Sequence, residues 1–139
     1  MTRLLFDVNV VLDVLLDRAP FADASSAAWE AVERGRADGV LSAHAVTTIH
    51  YLNSRAVGAR AARRTTDALL DVFGVAPVDE TVLRSALGLG WPDFEDAVTA
   101  AAARRARCHA IVTRDPKGFR RSPVRIVTPD EAVAWLASS

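Results

Sequence analysis

The chain has 139 residues, half of them apolar, which suits one domain with a core that needs neither disulfides nor a structural metal. Seventeen basic residues balance seventeen acidic ones, excluding the strong overall attraction to nucleic acid of a basic domain; the single cysteine, Cys108, excludes an internal disulfide and a Cys-rich zinc site. Asp7, Asp13 and Asp17 interrupt the apolar start and no run is long enough for a membrane span, so the chain is expected to lack an export signal and an anchor and to work in the cytoplasm.

Residues 3–6 read as a short buried strand, which turns sharply into an apolar helix over Val8 to Leu16 whose start Asp7 or Asn9 is placed to cap. Pro20-Phe21 breaks the pattern. Asp23 to Arg34 is predicted helical with Ala27, Ala28, Ala31 and Val32 inward and Gly35 as its stop, and Gly39 to Leu41 is a second short strand. Ala43 to Ala56 and Arg60 to Val72 both carry apolar residues at helical spacing, which predicts a helical hairpin. Val75 to Val78 is a brief strand, Asp79 caps a helix to about Leu87, and Gly88-Leu89-Gly90-Trp91-Pro92 reads as a loop. Asp93 to Arg105 is Ala-rich and helical, and Ala110 to Thr113 is a strand. Asp115 to Gly118 is a turn and Val124 to Val127 a further strand. Thr128-Pro129-Asp130-Glu131 then opens a last helix that packs Val133 and Leu136 on the sheet. This alternation implies one domain over residues 1–139, a three-layer α/β/α sandwich around a mainly parallel sheet.

Four carboxylates carry the chemistry in this pattern: Asp7 closes the first strand, Asp93 and Asp96 open the Ala-rich helix, and Asp115 follows the strand Ala110 to Thr113. Each has an ordinary explanation as a cap or turn residue. Jointly they follow elements whose ends a parallel sheet brings together, and capping alone does not require them to face one cleft. Converging carboxylates without a lysine partner suit a hard cation such as Mg²⁺ or Mn²⁺. Thr113 adds a hydroxyl able to hold a water on that cation. His44 and His50 are six apart on one helix and form no metal motif, and no Gly-x-Ser-x-Gly or phosphate-binding Gly-Lys-Ser/Thr loop occurs. Sixteen of the seventeen basic residues are Arg, in clusters that include Arg60 with Arg64, Arg104 to Arg107, and Arg114 with Arg120 and Arg121. Guanidinium groups fork onto phosphate oxygens, which makes Arg60, Arg64 and Arg114 candidates for RNA contact, although Arg runs also occur on plain solvated faces.

The segments Phe6-Asp7-Val8-Asn9-Val10-Val11-Leu12-Asp13, Asp93-Phe94-Glu95-Asp96-Ala97 and Ile111-Val112-Thr113-Arg114-Asp115, with Phe119 beyond, occur in an order and spacing that resembles PIN-domain proteins of the kind that act as toxins in bacterial VapBC toxin–antitoxin pairs. The resemblance spans nearly the whole chain. It implies an α/β/α sandwich and an endoribonuclease in which Asp7, Asp96 and Asp115, assisted by Asp93 and supported by Asn9, hold one or two Mg²⁺ or Mn²⁺ ions for hydrolysis of RNA. It also implies an antitoxin over the acidic cleft and self-pairing into a homodimer. At one position the chain departs from the pattern: Thr48 stands where an acid is usual, and Asp93, one helical turn from Asp96, is the better substitute than Glu95. A catalytically impaired module that binds RNA or protein is the alternative. An aspartyl phosphatase is disfavoured because Asn9 cannot serve as the acid of an Asp-x-Asp pair.

Overall fold

The computed structural model describes residues 1–138 and consists of five parallel strands between two layers of helices. In chain order these are β1 (Arg3–Phe6), α1 (Val8–Leu15), α2 (Ala22–Glu33), β2 (Asp38–Ser42), α3 (Ala43–Val57), α4 (Ala59–Val72) and β3 (Gly74–Ala76). They are followed by α5 (Glu80–Leu89), α6 (Phe94–Arg105), β4 (Ala110–Val112), a 3-10 turn (Pro116–Phe119), β5 (Arg125–Val127) and α7 (Pro129–Ala137). The sheet order is β3-β2-β1-β4-β5. From β1 the chain winds outward to β2 and β3, then crosses back to add β4 and β5 on the other side. The order therefore reverses beside β1, where an open α/β sheet forms its ligand crevice.

Alternate residues of each strand feed opposite faces, as the period of two demands. Leu4, Phe6, Ala110 and Val112 join a core with α1 to α4 and α7; Leu5 and Ile111 join a second core with α5 and α6. Phe73 anchors the first, edge-on to Phe6 at 5.2 Å and to Trp29 at 5.3 Å. Helix α6 is buried from Ala97 to Ala103, because its run of alanines lets it lie close between the sheet and α5. No helix is long and apolar enough to cross a membrane among the described residues.

The strand and helix order is as the sequence predicts, with local differences at the boundaries. Strand β3 starts at Gly74, directly after buried Phe73, and ends at Ala76, so the segment to Val78 is not strand. Helix α5 continues through Gly88 to partly buried Leu89, and Gly90 in the left-handed conformation (φ 68°) ends it, which shortens the expected loop. The Asp115 segment forms a 3-10 turn.

Candidate active site

The site starts from the central strand. Asp7 follows β1, and its backbone N–H donates to Val112 O of β4 at 2.9 Å, extending the ladder by one step. The Asp7 side chain is held at both oxygens: Oδ1 accepts from Val8 N at 2.9 Å, capping α1, and Oδ2 accepts from the Thr113 hydroxyl at 2.9 Å. Thr113 is fully buried, and its Oγ1 also accepts from Asp115 N at 3.1 Å. One hydroxyl thus ties together the acids that follow β1 and β4. Its donor and one of its two acceptor positions are taken by these protein partners.

The α6 acids arrive from a different element. Asp93 is the N-cap of α6, its Oδ1 accepting from Asp96 N at 3.0 Å, so the capping reading of Asp93 and its place beside Asp96 hold together. The 3-10 turn brings Asp96 and Asp115 to one point. A Cβ added at Gly118 would meet Asp96 Oδ2 at 3.0 Å and Asp115 Oδ2 at 3.5 Å, so both oxygens flank the space that glycine leaves open. They line one groove of about 660 Å³ with Asp93, Trp91, Lys117, Arg120 and Arg121.

The electrostatics express this crowding. Burial, then the charges of Asp93, Asp7, Glu95 and Asp115, push the Asp96 carboxyl up to about 7. Burial also raises the Asp7 carboxyl, with the Thr113 and Val8 hydrogen bonds opposing and the charges of Glu95 and Asp115 adding. Oxygen-only donors that repel one another suit a hard divalent cation, whose charge would relieve the repulsion. Among the described residues, no three His, Cys, Asp or Glu side chains already surround a single cation position. The fit therefore rests on donor chemistry and on the Asp96–Asp115 approach.

Other expected site residues make contacts of their own. Asn9 is exposed, and its side-chain oxygen faces Arg18 at 3.5 Å. Thr48 is partly buried on α3 and donates to His44 O of its own helix at 3.4 Å. Arg60 and Arg64 are exposed on α4, with no contact to the acids. Arg114 turns away from solvent: its Nε lies 3.1 Å from Oδ2 of fully buried Asp13 and its guanidinium stacks over Phe21 at 3.9 Å. It is a strut between Asp13 and Phe21, with 26% of its side chain exposed. Arg18 meets the same carboxylate at 3.0 Å. Sequence reading missed Lys117, Arg120, Arg121 and Trp91 on the groove wall, and Lys117 corrects the expectation of a site without lysine. Trp91 packs edge-on against Phe119 at 6.0 Å, a pairing across 28 residues with no periodic signal. The histidines bridge elements: His44 meets Thr99 at 3.4 Å and His50 meets Thr66 at 2.8 Å.

The family model described as PIN domain matches residues 3–117 of the chain. No curated protein matches it. Several solved structures share the fold. A toxin–antitoxin complex from Klebsiella pneumoniae superposes with a TM-score of 0.68 at 20% identity, covering 90% of this chain and 96% of that one. FitAcB from Neisseria gonorrhoeae gives 0.67 at 23% identity, covering 91% and 97%. VapC20 from Mycobacterium tuberculosis, a Sarcin-Ricin loop cleaving toxin, gives 0.64 at 17% identity, covering 78% and 86%.

Proposed function

The chain belongs to the PIN-domain family, and from that premise we propose that it is a Mg²⁺- or Mn²⁺-dependent endoribonuclease, the toxin of a toxin–antitoxin pair. The observation that carries this is the meeting of Asp96 and Asp115 above Gly118, at the sheet's reversal point and beside Thr113-held Asp7. Asp7, Asp96 and Asp115 are the residues to hold the cation. Asp93 supports Asp96 from the cap of α6. When bound, the cation supplies an acidified water as nucleophile and positive charge against the phosphate. The chain supplies the rest. Thr113 fixes Asp7 and the Asp115 backbone in register, while Lys117, Arg120 and Arg121 offer cations to phosphates flanking the scissile one.

Partner chemistry follows the same line. The Klebsiella relative was solved as a toxin–antitoxin complex. On the α3–α4 hairpin, Tyr51, Leu52, Val57 and Leu70 are exposed, apolar area for an antitoxin or a second copy of the chain to cover. The impaired-module reading rests on Thr48, neutral and bonded to its own helix. It requires RNA binding with no need for a cation.

Calorimetric titration with Mn²⁺ tests the site directly. Wild-type protein is expected to bind, with Asp96→Asn and Asp115→Asn weakening binding strongly and Asp17→Asn leaving it unchanged. No cation binding by the wild-type protein, or equal binding by all variants, would sink the assignment.

A further inference from the structure

A second groove runs between α5 and α6, with a volume of about 470 Å³ and walls that include Thr81, Ser85, Leu89, Arg104, Arg105 and Arg107. Nothing in the chemistry above uses it. Three guanidinium groups and two hydroxyls on one concave surface form a polyanion receptor, since Arg forks onto phosphate oxygens and hydroxyls donate to them. These cations are not neutralised internally. Among the described residues Arg104 and Arg107 have no ion-pair partner, and Arg105 reaches Asp79 only at 4.0 Å. Arginines in the last turn of α6 also complement the helix dipole. That explanation covers Arg104 and Arg105. It leaves out Arg107, which lies beyond the helix with a left-handed backbone (φ 59°), and it does not account for a groove.

Leu89 stands in the walls of both this groove and the acidic one, so the two adjoin at that residue. Along α6, Asp96 and Arg104 are separated by about 12 Å at 1.5 Å per residue. A strand with regularly spaced phosphates would meet Lys117, Arg120 and Arg121 in the first groove and Arg104, Arg105 and Arg107 in the second. An acidic protein segment has no such reason to span both.

We propose that the α5–α6 groove is a phosphate track that holds single-stranded RNA a few nucleotides from the scissile phosphate. This rests on the ribonuclease reading. The track sets which length of RNA is gripped; the chemistry stays with the carboxylates.

The test is fluorescence anisotropy with a labelled single-stranded oligoribonucleotide in chelator, as a function of salt, alongside cation-dependent cleavage by the wild-type protein. Single-stranded sites lose about 0.7 of the log–log salt slope per phosphate contact removed, so the Arg104→Ala/Arg105→Ala/Arg107→Ala variant is expected to lower the slope by about 2. The corresponding triple Lys variant should keep it. If the triple Ala variant melts early, each single Ala variant should carry its own share of about 0.7. An unchanged slope in a folded variant overturns the track, and wild-type cleavage in the same preparation leaves the nuclease reading standing. Absence of both RNA binding and cleavage in the wild-type protein overturns both. Loss of poly-glutamate binding with RNA binding intact would reassign the groove to an acidic protein segment and overturn the proposal.

Discussion

Thr113 is the residue on which the site's geometry turns, because its one hydroxyl donates to Asp7 and accepts from the Asp115 backbone. Thr113→Val keeps the shape and removes both bonds. It should cost about 1–3 kcal/mol of stability for the unsatisfied buried groups and reduce cation-dependent cleavage by about 10–100-fold, read by chemical denaturation and by initial rates. Asp96 makes a second prediction through pH. A carboxyl raised to about 7 in the folded protein, against about 4 when unfolded, takes up protons on folding. Its contribution to metal-free stability therefore falls as pH rises from about 4 to about 7. In chelator, the melting-temperature advantage of Asp96→Asn over wild type should be larger at pH 7.5 than at pH 5; an equal difference at both would mean that Asp96 is not strained by its neighbours. Thr48→Glu, which restores the acid usual at this position in the family, is expected to tighten Mn²⁺ binding by about tenfold, on the order of 1.4 kcal/mol, read by calorimetric titration. At this scale the sequence carried much. The acids were legible as the ends or starts of periodic segments, while the inward turn of Arg114 onto Asp13 was not, since an Arg cluster reads alike whether its members face water or a buried carboxylate.

Among the elements, glycine marks two close approaches with opposite consequences. A Cβ at Gly39 of β2 would sit 2.6 Å from Val32 Cγ1 and 2.8 Å from Phe73 Cδ1, both in the packed core between the sheet and α2. Gly39→Ala is expected to destabilise by about 1–3 kcal/mol while leaving the activity of the folded fraction unchanged. At Gly118 the added Cβ meets carboxylate oxygens at a groove wall instead. Gly118→Ala is expected to lower cleavage and Mn²⁺ affinity with little change in melting temperature; thermal melts and cation titration of both variants separate the cases. Caps and breakers made these elements readable: Asp79, Asp93 and Thr128 each accept from their helix's first turn, and Thr128 with Glu131 completes a capping box. The boundaries missed were those decided by tertiary packing, such as the passage of α5 through Gly88 to reach Leu89. Local propensity gives no sign of that burial.

For the whole molecule, the order β3-β2-β1-β4-β5 places the end of the central strand beside the end of β4, so that residues 106 positions apart share a hydrogen bond. Alternating strand and helix implied a parallel sheet, and a parallel sheet implied a crevice at its strand ends. Strand order was not legible, because register and winding are set by contacts between distant segments. The walls of the groove were hidden for the same reason: Lys117, Arg120 and Arg121 reach the acids only when the 3-10 turn folds under α6. Whether this crevice hydrolyses RNA with a divalent cation held by carboxylates is decided by incubating purified protein with a mixed pool of structured RNA. The arms are Mn²⁺, chelator, and Mn²⁺ with Asp96→Asn. Cleavage in the first arm and its loss in the other two is the predicted result; cleavage that persists in chelator or in the variant, or RNA left intact by the wild-type protein, would contradict it.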